Sequence, residues 1–528
     1  MASSKDSERL EDGVSGRNED PVRSGETGLS SRLGGFSVLD TWVLGTLTLA
    51  AGFLRIFRVA DPQRLMFDEV YYAKDACYYA MSSLDACRIE DLNEVHPPLG
   101  KWIISAGIKL FGFDSFGYRS MSVLAGTITV AMTYLLARKI LRSTVGAGVA
   151  AGLLAIDPLH FVQSRISMLD IFVPLFAVAA FLFLVLDRDR SIALREALEG
   201  GREPERGRAL ARPWLLAVGI AAGAAVASKW TGAFVPLAAL VLAIAWAVAA
   251  RRPLGKWSAF TRALREEWLA LVVYLVLVPI VVYILSYIGR GIEGDVLALP
   301  WAQGSWWHAL WDKQWQMLDF HRDLDATHPY QSQAWSWILL KRPVSYFFET
   351  DPNGDYREIF ATGSPFVWWA SIPAVFYVAY NWVRNRSMRR PEGIILAGFV
   401  FSYGLWLLPA SSRSAVFLFY FVATVPFICM AIGYIASILG NVWEARTAVA
   451  LFCVTATAFF AFYYPLLTKQ ALSREQWDRR IWFFDNCDKP EGKLVTTTIN
   501  ATQSGSILRT ETTEDSNKDK PPAGWCWI

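Results

Sequence analysis

The 528-residue chain is 53% hydrophobic and 14% aromatic, with 23 Trp and a formal net charge of +3. That charge is too small for a nucleic-acid surface, so no nucleic-acid partner is expected. Many apolar residues are bunched into runs of roughly 18–25, the length that crosses a bilayer, so most of the chain reads as membrane helix.

Residues 1–35 are polar, rich in Ser, Gly, Glu and Arg, and read as a disordered cytoplasmic tail without a cleavable signal. A first span is expected over 36–57, followed by a polar, aromatic segment over 58–115. The second span, 116–136, is followed by Arg138, Lys139 and Arg142. The third and fourth spans are expected at 145–156 and 171–186, followed by an Arg-dense segment at 187–213. The fifth and sixth, 214–227 and 232–250, are parted only by Ser228-Lys229-Trp230-Thr231. A basic loop, 251–265, leads to the seventh span at 268–288 and a long polar segment at 289–364. Four more spans are expected near 365–383, 393–410, 415–438 and 446–465, before a polar tail over 466–528. The expected architecture is an all-α polytopic membrane protein of about eleven transmembrane helices.

The basic clusters at 138–142, 187–213, 251–265 and 384–390 share one side, which the positive-inside rule makes cytoplasmic. The N-terminus is then inside and the C-terminus outside. The same assignment puts Asp68, Glu69, His96, Arg165, Lys229, the 289–364 segment and Arg413 together on the outer side. It also puts Cys77, Cys87, Cys487 and Cys526 in the oxidising compartment. The local pairs Cys77–Cys87 and Cys487–Cys526 are the expected bridges among three possible connectivities. Asn500-Ala501-Thr502 is an outer glycosylation sequon.

Asp68 and Glu69 follow the first span. Neighbours on a helix point about 100° apart, so the two are expected to divide their roles, one facing a reaction and the other a partner or metal. The plain alternative is a pair that solvates a loop. Tyr71, Tyr72, Tyr78 and Tyr79 suit a helix lying at the interface. His96-Pro97-Pro98 is a helix-start signal, and Leu99 to Phe113 suits a helix along the membrane surface. Its N-terminus, with Lys101 in the first turn, is a candidate phosphate or carboxylate site, although His96 also reads as a cap. Arg119 lies about one turn into the second span and calls for an anion: Asp68, Glu69 or a lipid phosphate. Ser164-Arg165 leads to Asp170, favourable at a helix N-terminus. Lys229 and Arg413 each mark a tight outer hairpin, where a cation either snorkels or binds phosphate. The Trp-rich 289–364 segment reads as folded onto the interface or around a peptide or sugar. No zinc, P-loop, dinucleotide or Ser-His-Asp pattern is present, which points to a lipid-linked donor if the chain is a transferase.

Phe67-Asp68-Glu69-Val70, Val95-His96-Pro97-Pro98-Leu99-Gly100-Lys101, Tyr118-Arg119, Ser164-Arg165 through Leu169-Asp170, Ser228-Lys229-Trp230, His328-Pro329-Tyr330, Lys341 to Tyr346 and Phe417 to Phe421 occur in this order. Together they resemble the protein O-mannosyltransferase family, membrane glycosyltransferases of the GT-C class, over about 36–465. The 289–364 segment is too short for the β-trefoil (MIR) domain that fungal and animal members carry there, so the chain resembles the bacterial, especially actinobacterial, form. The resemblance implies a GT-C fold. It also implies transfer of mannose, with inversion, from a polyprenyl-phosphate carrier to Ser or Thr of a secreted protein at the outer face of the cell membrane.

By the same resemblance Asp68 is the general base, and Glu69 orients the acceptor or a metal. Arg119, Lys229 and Arg413 hold the donor phosphate, with His96, Lys101 and Arg165 beside it. Asp170 is a second acidic group, and His328, Tyr330 and Tyr346 lie on the acceptor or loop side. The cofactor is left undetermined, a divalent cation being one option. The implied partners are the lipid donor, membrane lipid and the acceptor polypeptide, with delivery by the secretion translocon as one option. Transfer of another lipid-linked sugar, such as arabinose or aminoarabinose, and lipid transport remain as alternatives.

Overall fold

The computed structural model describes residues 35–199, 212–251, 255–288, 305–324, 328, 330–408, 416–439 and 442–481. The expectations for most of the N-terminal tail, Arg413, Cys487, Cys526 and the sequon lie outside these residues.

In chain order the helices are α1 (Val38–Ile56), α2 (Glu69–Met81), α3 (Leu84–Cys87), α4 (Leu99–Phe111), α5 (Ser115–Leu141), α6 (Thr144–Ala155), α7 (Pro158–Gln163), α8 (Phe172–Glu199), α9 (Pro213–Ser228) and α10 (Phe234–Ala250). There follow α11 (Lys256–Val272), joined through a π-turn at Val273–Leu277 to α12 (Val278–Leu285), then α13 (Trp306–Asp323). After strands β1 (Val344–Thr350) and β2 (Tyr356–Ala361) come α14 (Pro365–Asn385), α15 (Pro391–Tyr403), α16 (Val425–Leu439), α17 (Trp443–Leu467) and α18 (Arg474–Ile481).

Each of the eleven expected spans falls on a helix. Six of these helical segments have both the length and the apolarity to cross a membrane, and four more apolar helices are 10–17 residues long. The chain is a multi-pass membrane protein. In the bundle α5 packs on α1, α4, α6 and α8, while α9 packs on α8 and α12, and α16 on α6 and α14. The α6–α16 crossing needs glycine on both sides. A Cβ at Gly146 would lie 2.7 Å from the Gly433 carbonyl oxygen, and one at Gly433 would lie 2.5 Å from that of Gly146. Small residues that let backbones approach are the usual currency of helix contacts in lipid.

Charged side chains gather where helices end, because burial at mid-membrane depth is costly. At one end the Asp40 carboxylate accepts from Tyr134, Arg138 and Thr144, each at 2.8 Å. There too Arg212 bridges Asp187 and Glu267. Glu69, Asp75, Lys101, Arg119, Asp170 and Lys229 make up the opposite end.

Two features add to the expected architecture. Within a mostly helical fold β1 and β2 form an antiparallel hairpin in the 289–364 segment, with Val344 opposite Ala361 and Thr350 opposite Tyr356. The residues just after 465 pack back onto it. Leu472 bridges to Tyr356, and Trp477 of α18 donates to Glu358 at 2.7 Å. A buried indole and carboxylate thus lock 468–481 onto the hairpin.

Candidate active site

Met66 to Glu69 turn out of the segment after α1 into α2. Phe67 has a φ of 49°, an uncommon left-handed conformation for a bulky residue. Its ring is held by four others: Tyr346 at 4.8 Å, Phe419 at 5.9 Å, His328 at 6.3 Å and Phe417 at 6.5 Å between centroids. The Tyr346 hydroxyl accepts from Gln163 Nε2 at 2.7 Å, tying this socket to α7. Backbone strain of this kind persists where surroundings over-determine it.

Glu69 is fully buried. Its Oε1 accepts from Arg119 Nε and the Ser167 amide, both at 2.8 Å; its Oε2 accepts from Arg119 Nη2 at 2.8 Å and the Met66 amide at 3.1 Å. Arg119 spends its other contacts on the carbonyls of Val59, Pro62 and Arg64 at 2.9–3.0 Å. The pair is a clamp between the segment after α1 and α5. Glu69 therefore holds Arg119, and of the three anions considered for Arg119 the structure supplies Glu69.

Asp68 is the contrast. Among the described residues no side chain or amide hydrogen-bonds its half-buried carboxylate. Burial pushes its pKa up to about 6, with Lys229 pulling it down and Asp170 adding to the rise. Lys229, at the tip between α9 and α10, places Nζ 2.8 Å from both Asp170 oxygens and 4.6 Å from the Tyr420 ring centroid. A carboxylate whose pKa burial raises, an ion pair and aromatic walls thus converge from four separate stretches of chain.

The loop carrying His96 is fixed from two sides. Asp75 Oδ1 accepts the Asn93 amide at 3.0 Å, while Lys101 donates to the Asn93 carbonyl and pairs with Asp75 Oδ2 at 2.6 Å. From α13, Lys313 pairs with Glu94 and His321 Nε2 donates to the Val95 carbonyl at 2.8 Å. The His96 ring lies 5.1 Å from His321 and 5.7 Å from Tyr72. A disulfide joins Cys77 to Cys87, tying α2 to α3.

Lys101 is wholly buried in this loop clamp, paired with Asp75. Arg165 donates to the carbonyls of Leu54, Arg55, Phe57 and Arg58 at 2.6–3.2 Å and so closes the C-terminal turn of α1. Positive charge at a helix C-terminus is favourable, which accounts for its place. Tyr330 is buried beside His328, with rings 5.1 Å apart.

Sequence reasoning missed Asp75, Gln163, His321 and the socket around Phe67. It also missed a buried cluster in which Arg55 contacts His160 Nδ1 at 3.0 Å, and Asp157 accepts from Trp368 at 2.8 Å. Burial and Arg55 hold the His160 pKa well down. The socket residues lie in motif strings already noted, but their convergence on Phe67 is a long-range contact that those strings do not reveal. Among the described residues no group of three or more His, Cys, Asp or Glu is arranged to hold a metal.

Two family models match the chain. Residues 113–288 match dolichyl-phosphate-mannose-protein mannosyltransferase, and residues 306–486 match the C-terminal four-helix membrane region of protein O-mannosyltransferase. The chain is 29% identical over 492 residues to the polyprenol-phosphate-mannose–protein mannosyltransferase of Mycobacterium tuberculosis, covering 84% of this chain and 91% of that one. It is 27% identical over 434 residues to the protein of the same name from Corynebacterium glutamicum, covering 74% and 81%. In fold it is similar to the Saccharomyces cerevisiae protein O-mannosyltransferase Pmt1-Pmt2 complex bound to the sugar donor, with a TM-score of 0.65 at 14% identity, over 86% of this chain and 93% of that one.

Proposed function

Because this chain belongs to the protein O-mannosyltransferase family, we propose that it transfers mannose from a polyprenyl-phosphate-mannose donor to Ser or Thr hydroxyls of secreted polypeptides. The observation that carries the assignment of roles is the contrast between a saturated Glu69 and an Asp68 carboxylate that accepts no hydrogen bond from the described residues and feels the charge of Lys229.

A Ser or Thr hydroxyl is too weak an acid to ionise near neutral pH, so its proton must be taken as the new bond forms. Asp68 accepts that proton while the hydroxyl oxygen attacks the anomeric carbon. The bond from that carbon to the phosphate oxygen breaks on the opposite face, inverting the centre, and the polyprenyl phosphate leaves with the bonding pair. A positioned base contributes roughly 10²–10⁴-fold. Lys229 opposes the charge that develops on the departing phosphate, an interaction that strengthens in the transition state. Tyr346, His328 and the Phe417–Phe419 wall face the acceptor. Reaction at the outer face of the plasma membrane follows from the positive-inside orientation, and delivery of acceptors by the secretion translocon fits that side.

The test uses membranes with and without the protein, supplied with radiolabelled polyprenyl-phosphate-mannose and a Ser/Thr-rich peptide. Label should reach the peptide only with the protein present. No transfer, or transfer of a different polyprenyl-linked sugar in preference, would overturn the reading.

A further inference from the structure

α13 carries two unlike jobs on one helix. On one face, Trp306 and Met317 are buried, Gln314 accepts from the Tyr283 hydroxyl at 2.5 Å, and the Tyr287 hydroxyl lies 3.9 Å from Met317 Sδ. Lys313 and His321 on this face reach Glu94 and Val95. Tyr283 and Tyr287 belong to the outer end of the α12 span, so these contacts fix the depth at which α13 crosses it.

A second face presents Trp307, Trp311 and Trp315 with Leu318, which are 55%, 63%, 49% and 41% exposed. At 3.6 residues per turn these four lie within an arc of roughly 80°, and they point roughly 110° from the buried face. A third direction, roughly 100° further round, carries Asp312, Asp319 and Asp323; Arg322, in the last turn beyond the indoles, reaches across to Asp319 at 3.0 Å and Asp323 at 2.8 Å. One side toward protein, one lined with indole and one charged is the arrangement of a helix in the plane of an interface, not of a helix with water on all free sides. Indole is favoured at the headgroup level. The span against whose end α13 packs is itself apolar outward, with Ile280, Val281 and Leu285 of α12 48–52% exposed.

We propose that the Trp307–Trp311–Trp315 stripe binds the outer-leaflet lipid surface, and that this seating braces the Asn93–His96 loop through Lys313 and His321. The occupant is lipid because the tyrosine contacts seat α13 at the end of a membrane span whose own exposed face is apolar. The inference concerns where α13 rests and is independent of which sugar is transferred.

The experiment places a nitroxide on Trp311→Cys or Asp312→Cys, with Cys429, Cys453, Cys487 and Cys526 replaced and Cys77–Cys87 kept. The protein is reconstituted in nanodiscs of phosphatidylglycerol and phosphatidylethanolamine. Collision with oxygen against a water-soluble nickel complex gives the depth of each label. The label at 311 should favour oxygen several-fold more than the label at 312. Equal, nickel-dominated accessibility at both positions would overturn the proposal. So would protection from both reagents together with cross-linking to a second copy, which would make the stripe a protein interface. A second measurement is amide exchange in Trp307→Gln/Trp311→Gln/Trp315→Gln protein. Exchange at residues 93–97 should rise several-fold while that of α5 is unchanged. Unaltered exchange at 93–97 would remove the bracing role.

Discussion

Asp68 and Glu69 are neighbours in sequence and opposites in environment. The Glu69 carboxylate accepts four hydrogen bonds, two of them from Arg119, whereas among the described residues that of Asp68 accepts none. One carboxylate is spent on architecture and the other is kept in reserve. The difference arises because Glu69 is the first residue of α2 and turns back toward α5, while Asp68 precedes the helix and faces the Lys229 side.

Keeping a carboxylate half-buried without a hydrogen bond from the described residues lowers stability, and this gives a prediction. The pKa of Asp68 is raised from its ordinary value to about 6, so the folded protein binds more protons than the unfolded chain between about pH 4 and 6. Stability from this group is therefore present below about pH 4 and lost as pH rises through about 6. Asp68→Asn removes the charge and should raise Tm at pH 7, with the gain vanishing near pH 4. The same variant should lose turnover by roughly 10²-fold or more. A thermal scan and a single-turnover assay check both. Wild-type turnover in Asp68→Asn would remove the base and turn attention to His96.

Glu69 and Arg119 should behave as a pair. Removing one partner of a buried pair strands the other charge, at a cost of about 3–5 kcal/mol. Glu69→Gln and Arg119→Met should each lower Tm and yield, without a selective rise in acceptor KM. Glu69→Gln/Arg119→Met should recover part of the loss, because no lone charge remains. Well-folded Arg119→Met protein with weakened donor binding alone would contradict the clamp.

Asp75 and Lys101 hold both backbone groups of Asn93, so their loss should loosen the His96 loop. Lys101→Met leaves Asp75 buried beside the Asn93 amide alone. It should raise amide exchange across 93–97 and reduce kcat more than it weakens donor binding. Unchanged exchange with a donor Kd raised tenfold would restore Lys101 as a phosphate ligand.

The fold was legible because lipid leaves little choice. A spanning segment must satisfy its backbone internally and be apolar, so run length and basic loops locate helices. Asp68 and Lys229 were legible as unusual charges beside apolar runs. What the sequence does not carry is who partners whom. Arg119, Arg165 and Lys101 looked like equivalent phosphate ligands, yet each is consumed by groups far from it in sequence: Glu69, the carbonyls that end α1, and Asp75. The β-hairpin was missed because Val344 to Ala361 is aromatic and short, and its pairing with Leu472 is long-range. The disulfide was readable from local spacing, since Cys77 and Cys87 need only one helix end and a turn to meet.

Lys229 carries the last prediction, because its charge acts on two things at once. It lowers the pKa of Asp68, and it is the described cation facing both Asp68 and the Tyr420 wall. An acid-limb measurement of kcat/KM reports the free enzyme. In the wild type the limb should fall near pH 6, the activity dropping as Asp68 gains its proton. Lys229→Met removes a positive neighbour and leaves Asp170 negative, so the limb should move above pH 6. Adding Asp170→Asn removes the opposing negative charge and should bring the limb part of the way back. Donor binding should follow a different pattern. A charge-assisted hydrogen bond is worth about 1.5–3 kcal/mol, so losing one from ammonium to phosphate should weaken donor Kd by roughly ten- to a hundredfold in both variants. Peptide Kd should change little. If Lys229→Met/Asp170→Asn binds donor as the wild type does, Lys229 serves only to neutralise Asp170, and the donor phosphate is held elsewhere.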